Sequence, residues 1–82
     1  MLKPQDVSIE EIYIPTARRK TLNPETAAEL AEDILENGQK TPIQVRQGDG
    51  RYVLLEGLHR LEACILLGED KISAYLVQAK KF

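Results

Sequence analysis

Eighty-two residues make one small domain, 1–82, with room for a single hydrophobic core. An apolar content of 43% beside 29% charged residues excludes a disordered chain, and a net charge of −2 excludes nucleic-acid binding through bulk positive charge, though not through a local basic patch. A single cysteine excludes an internal disulfide and an all-cysteine zinc site, no apolar run approaches the roughly 18 residues of a membrane span, and the N-terminus has no apolar signal region. The expectation is a cytoplasmic domain without a membrane partner.

In chain order, Val7, Ile9, Ile12 and Ile14 are apolar positions interrupted by Glu10 and Glu11, which predicts one short, kinked strand ended by Pro15. Thr16 to Leu22 reads as a basic loop carrying Arg18, Arg19 and Lys20. Asn23-Pro24 is a helix start, because asparagine caps, proline suits the first helical position and Glu25 favours the positive end. Ala27, Leu30, Ala31, Ile34 and Leu35 follow at the spacing of one buried stripe, and Asn37-Gly38 ends the helix. The acids Glu25, Glu29, Glu32, Asp33 and Glu36 form its solvated face, which is unsuited to DNA.

Thr41 to Arg46 predicts a strand with Ile43 and Val45 inward, and Gln47 to Gly50 a hairpin turn leading into Arg51–Leu55. Tyr52 to Leu55 is a continuous apolar run, as in a strand covered on both faces. Glu56-Gly57 breaks it, and from Leu58 the spacing turns helical, with Leu58, Leu61, Cys64 and Ile65 on one face and Gly68 closing the helix. Cys64, about two turns into that face, reads as a buried structural thiol. Lys71 to Val77 is a last strand, with Ile72, Ala74 and Leu76 on one face, and Gln78 to Phe82 either frays or leads into another chain. The order β-α-β-β-α-β predicts a compact α+β domain whose two helices cover a small mixed sheet.

Glycine at 57 permits a sharp turn and close approach of a ligand. The unpaired amides of the helix start then favour an anion above them, and Arg60 can fork two donors onto a phosphate. A lone histidine such as His59 at a helix start is often only a cap or a surface donor. Arg60 equally has Glu56 and Asp33 as candidate salt-bridge partners. Glu56, His59 and Glu62 have the side chains of a metal site, but Glu56 and His59 straddle the glycine turn.

The segment Gly38–Val45, the hairpin, Gly57-Leu-His-Arg60 with Ala63, and the strand Ile72–Val77 together resemble the ParB/sulfiredoxin superfamily, in the right order over nearly the whole chain. The most specific element is the Gly-x-His-Arg turn between a strand and a helix. The resemblance implies a triphosphate pocket for CTP or ATP with Mg²⁺, in which Gly57, Leu58, His59 and Arg60 hold phosphate. It implies that Gln39, Lys40, Thr41 and Pro42 form pocket wall and that Arg18 and Arg19 add positive charge.

Two positions depart from the family pattern. Sulfiredoxins carry a nucleophilic cysteine directly after the motif glycine, and here that position is Leu58, so sulfiredoxin chemistry is not expected. The positions of the first helix that face the pocket in relatives are Thr26, Glu29 and Asp33, and two carboxylates there repel a triphosphate unless a cation intervenes. Either Asp33 meets the nucleotide through Mg²⁺, or it occupies Arg60. Three readings follow. One is a nucleotide-binding switch or partner-binding module in a DNA-related process, with closure of a homodimer as its candidate action. Another is a metal-dependent nuclease or nucleotide hydrolase with Glu56 and His59 as candidate catalytic groups. The last is an adaptor that keeps only the fold. DNA contact is expected through a separate chain.

Overall fold

A computed structural model describes residues 3–78. Strand β1 is Gln5–Ser8 and strand β2 is Ile12–Tyr13, with a 3₁₀ turn at Ile9–Glu11 between them. Helix α1 is the single turn Thr16–Arg19, and α2 is Pro24–Asn37. Strands β3 (Ile43–Gln47) and β4 (Tyr52–Glu56) form the hairpin, α3 is Leu58–Leu66, and β5 is Lys71–Leu76. Residues 79–82, at the end of the predicted fraying segment, lie outside the described residues.

The five strands form one mixed sheet in the order β1-β5-β3-β4-β2. β1/β5 and β3/β4 are antiparallel, while β5/β3 and β4/β2 are parallel. The expected single kinked strand is therefore two strands at opposite sheet edges. Ser8 and Ile12 are four residues apart and can be separated by at most about 14 Å. A flat sheet of this width would place its edges about 19 Å apart. The sheet must curl to let the chain step across. The expected basic loop likewise contains a helical turn, α1, whose last basic residues Arg18 and Arg19 sit at its favoured end.

Curling gives the sheet an inner face. Val7 faces Ile72, Ile43 faces Ala74 and Val45 faces Leu54 across the ladders, and all six are buried. Leu58, Leu61 and Cys64 of α3 pack into the same core. Val53 is buried beside Leu54, as expected for a strand covered on both faces. The helix α2 packs along α3 and buries Ala27 and Ala31, small side chains that let the two axes approach.

Leu35, predicted in the buried stripe, is 74% exposed. The two helices start level, because the Asn23 N–H donates to His59 Nε2 at 2.9 Å. Ile34, in the same last turn of α2, packs against the core, and Leu35, one step further round the helix, falls outside the flank that α3 and the core cover. Ile65, predicted on the buried face of α3, is 44% exposed, whereas Ala63 is fully buried. The second helix covers α3's flank, so the buried arc turns toward residues 63 and 64.

Helix ends follow the predicted chemistry. Asn23 Oδ1 accepts from the Glu25 and Thr26 amides at 3.0 and 3.4 Å, and Pro24 opens α2. Gly68, at φ 75°, ends α3 with its N–H on Ile65 O and the Glu69 N–H on Cys64 O, each at 3.0 Å.

Gly57→Ala meets both a positive φ of 105° and the Ile43 side chain, whose Cγ2 would lie 2.5 Å from the new methyl. Strain and overpacking together predict a loss of about 2–5 kcal/mol in urea unfolding. Gly50→Ala, at φ 72° but in open space, keeps only the backbone cost, about 1–2 kcal/mol. Equal losses would contradict the close packing of Gly57 on Ile43.

Candidate functional site

The site begins where β4 meets α3. Gly57 is the N-cap of α3, left-handed at φ 105°, ψ 30°. Its carbonyl accepts from the Leu61 N–H at 2.9 Å, and no side chain caps the helix. The amides of Leu58, His59 and Arg60 precede that first helical bond, so they are the donors an α-helix leaves without an internal partner. The Leu58 side chain is buried in the core, so only its backbone is available above the turn.

Over this turn lies a cavity of about 620 Å³ lined by Gly57, Leu58, His59 and Arg60. Thr41, Pro42 and Gln44 line it from the chain entering β3, and Glu56 from the end of β4. Arg18 and Thr21 line it from α1 and the loop after it, and Leu30 from α2. Small-molecule sites commonly occupy about 300–1,000 Å³. The lining carries two guanidinium groups, Arg18 and Arg60, against one carboxylate, Glu56. With the helix-start amides, that balance favours an anion.

His59 takes part in the fold as well as in the cavity lining. Its Nε2 accepts from the Asn23 N–H, so in this arrangement the ring proton is on Nδ1.

The structure brings Gly57, Leu58, His59, Arg60, Thr41, Pro42, Arg18 and Glu56 to one cavity. Thr26, Glu29, Asp33, Gln39, Lys40 and Arg19 are not in its lining. Asp33 Oδ1 accepts from Asn37 Nδ2 at 3.0 Å, a local bond one helical turn along α2. Arg19 Nε donates to Ile14 O at 3.3 Å, which ties α1 back to the end of β2. Gln39 extends a sheet ladder: its Oε1 accepts from Ser73 N–H, and its Nε2 donates to Ser73 O and Thr41 O, each at 3.0 Å. β3 begins opposite Ala74, so the Gln39 amide satisfies β5 one residue beyond the strand.

Thr21, Leu30 and Gln44 line the cavity and were not singled out from the sequence. Gln44 was recoverable: it alternates outward between Ile43 and Val45 on the strand that the Thr41-Pro42 wall enters. Leu30 was recoverable only as an apolar stripe residue. Thr21 had no signal.

A second cavity of about 360 Å³ is lined by Asp6, Ile34, Gly38, Gln39, Cys64, Glu69, Lys71 and Ser73. Cys64 is a buried, free thiol, as its position on the apolar face implied. Burial raises its pKa first, the neighbouring Glu69 charge adds to the rise, and Arg60 acts in the opposite direction. The group is therefore held as the inert thiol.

The curled sheet and the strand–glycine–helix corner are those of the ParB/sulfiredoxin superfamily. Within it, the chain belongs to the ParB N-terminal domain family, which it matches over residues 2–81. The transcriptional repressor protein KorB of Escherichia coli is 34% identical over 75 residues, a match that takes in 87% of this chain and 21% of KorB. Sulfiredoxin from Arabidopsis thaliana superposes with a TM-score of 0.80 at 29% identity, covering 96% of this chain and 86% of that one. The chromosome-partitioning protein ParB of Caulobacter crescentus, solved with CTP-gamma-S, has the same fold at a TM-score of 0.80 and 24% identity, covering 96% of this chain and 46% of that one. The chain thus spans about a fifth of KorB's length.

Gln39→Ala strands the part-buried Ser73 N–H and weakens the start of β3. It is expected to lower the unfolding free energy by about 1–3 kcal/mol, measured by urea denaturation. Unchanged stability would show that water replaces the Gln39 amide without loss.

Proposed function

We propose that this domain is a ParB-type nucleotide-triphosphate binding module, taking CTP or ATP with Mg²⁺ in the cavity over residues 57–60. One observation carries the reading: a helix start without a side-chain cap, entered through the left-handed Gly57, and two arginines all meet at a single cavity. Gly57 lets the turn pack against Ile43, which sets the first amides of α3 at the cavity. Arg60 matches phosphate oxygens with its planar fork, and Arg18 brings a second positive charge from α1. Thr21 and Thr41 add hydroxyl groups.

Glu56 is the one carboxylate in the lining, and it opposes a bare triphosphate unless a cation lies between them. The oxygen donors suited to a hydrated Mg²⁺ at this cavity are therefore Glu56, Thr21 and Thr41, rather than Asp33. When bound, the metal would offset phosphate charge.

The module would act as a switch or partner-binding domain in a DNA-related process, as the names of KorB and of the partitioning protein ParB suggest. DNA contact would then come through a separate domain or chain, since the long helix α2 presents an acidic face. A nucleotide that closes the domain against a second copy fits the same reading. Among the described residues no helix is long and apolar enough to cross a membrane, and a cytoplasmic setting suits the free thiol. A second reading, a metal-dependent nuclease or nucleotide hydrolase, draws on the presence of Glu56 in the cavity as a base. Its nucleophile would be water, because Leu58, at the sulfiredoxin cysteine position, has no nucleophilic atom.

Thermal unfolding with CTP or ATP, with and without Mg²⁺, tests the proposal. Ligand at 100 times its Kd stabilises by about 2.7 kcal/mol, which is roughly 10–20 °C in Tm for a domain of this size. Arg60→Ala is expected to abolish the rise. A rise that survives Arg60→Ala, or no rise with either nucleotide, would overturn it.

A further inference from the structure

We infer that Asn23 is a positioning residue for the nucleotide site, and that through it occupancy of the cavity is coupled to the start of α2. The inference rests on the nucleotide reading above. Its basis is one hydrogen bond between residues 36 apart in sequence: the Asn23 N–H donates to His59 Nε2 at 2.9 Å. A ring nitrogen that accepts carries no proton, so the neutral imidazole keeps its proton on Nδ1. The backbone of Asn23 thereby selects the tautomer whose remaining polar atom is a donor, on a side chain that lines an anion-favouring cavity. The opposite tautomer would present a lone pair to phosphate and repel it.

The same residue holds α2. Asn23 Oδ1 accepts from the Glu25 and Thr26 amides, so its side chain caps the helix while its N–H orients His59. Donation from Nδ1–H to an anion raises electron density at Nε2 and strengthens the Asn23 bond, since linked hydrogen bonds polarise one another. Nucleotide binding then tightens the first turn of α2. By reciprocity, loosening that turn weakens nucleotide binding by the same factor. Leu30 brings the body of α2 to the cavity as well, so the helix is touched at its cap and on its flank.

Two substitutions separate the ring's two roles. In His59→Gln the side-chain oxygen stands near the place of Nε2 and can still accept from Asn23, but the Nδ1 donor is lost. In His59→Asn an amide donor stands near the place of Nδ1, but nothing reaches Asn23.

Amide hydrogen exchange on the 82-residue protein reads the coupling directly, and ¹⁵N NMR of the His59 ring reads the tautomer. The expected free-protein result is a proton on Nδ1, with the Asn23 amide protected in wild type and in His59→Gln but not in His59→Asn. Adding CTP or ATP with Mg²⁺ is expected to raise protection at Asn23, Glu25 and Thr26 by about 5-fold or more in wild type. His59→Asn is expected to bind nucleotide without that rise, and His59→Gln to bind more weakly. A proton on Nε2, or an Asn23 amide equally protected in His59→Asn, would overturn the inference even if no nucleotide binds. Nucleotide binding that leaves the first turn of α2 unchanged would overturn the coupling while the nucleotide reading stands. An absence of any binding, with the tautomer as expected, would overturn the nucleotide reading and with it the coupling.

Discussion

The close approach of Gly57 to Ile43 is the contact on which the site depends. A methyl on residue 57 would lie 2.8 Å from Ile43 Cβ and 2.5 Å from its Cγ2, so the backbone of the β4–α3 turn rests directly on the start of β3. Only glycine permits that distance together with a φ of 105°. Because the turn lies this low, α3 begins uncapped beside the wall made by Thr41 and Pro42, and its first amides face an open cavity instead of a side chain. Packing and ligand geometry thus share one constraint. Ile43, at 1% exposure, is held by the core on its other sides, so it transmits the rigidity of the sheet to the turn.

A second consequence follows from the shape of the sheet. The curl that lets the chain step from β1 to β2 carries β2 beside β4 and delivers α1 over the hairpin side of the domain. Arg18 and Thr21 reach the cavity by that route, from a segment far from Gly57 in sequence. The Arg19 guanidinium holds the segment by its bond to Ile14 O, and Arg51 stacks over the Tyr13 ring at 3.9 Å. Neighbouring arginines therefore divide the work, one lining the cavity and one fastening α1.

The helices α2 and α3, the hairpin, the last strand and the glycine corner were legible in the sequence because each is written locally, whereas the single turn α1 was read as a loop. Asn23-Pro24 caps, Gly38 and Gly68 stop, and the apolar spacing changes from strand to helix at Gly57. The split of the first strand was not legible, since Val7 to Ile14 reads as one apolar series and only pairing with β5 and β4 separates its halves. Leu35 and Ile65 were misplaced because periodicity gives a face but not the flank that the partner covers. At the cavity, Glu56 to Arg60, Thr41, Pro42 and Arg18, all named from the sequence, stand in the lining. Gln39, Asp33 and Arg19 carry the right chemistry but spend it on Ser73, Asn37 and Ile14. Those bonds depend on distances across the fold that no spacing encodes.

The central claim is that the backbone of residues 57–60 is an anion cradle, and backbone amide chemical shifts measured during a titration with CTP–Mg²⁺ or ATP–Mg²⁺ test it most directly. The account predicts the largest shifts at the Leu58, His59 and Arg60 amides, with smaller ones at Thr41 and Thr21. Shifts centred elsewhere, such as on the Gln39–Cys64 cavity, with residues 57–60 unmoved, would contradict it.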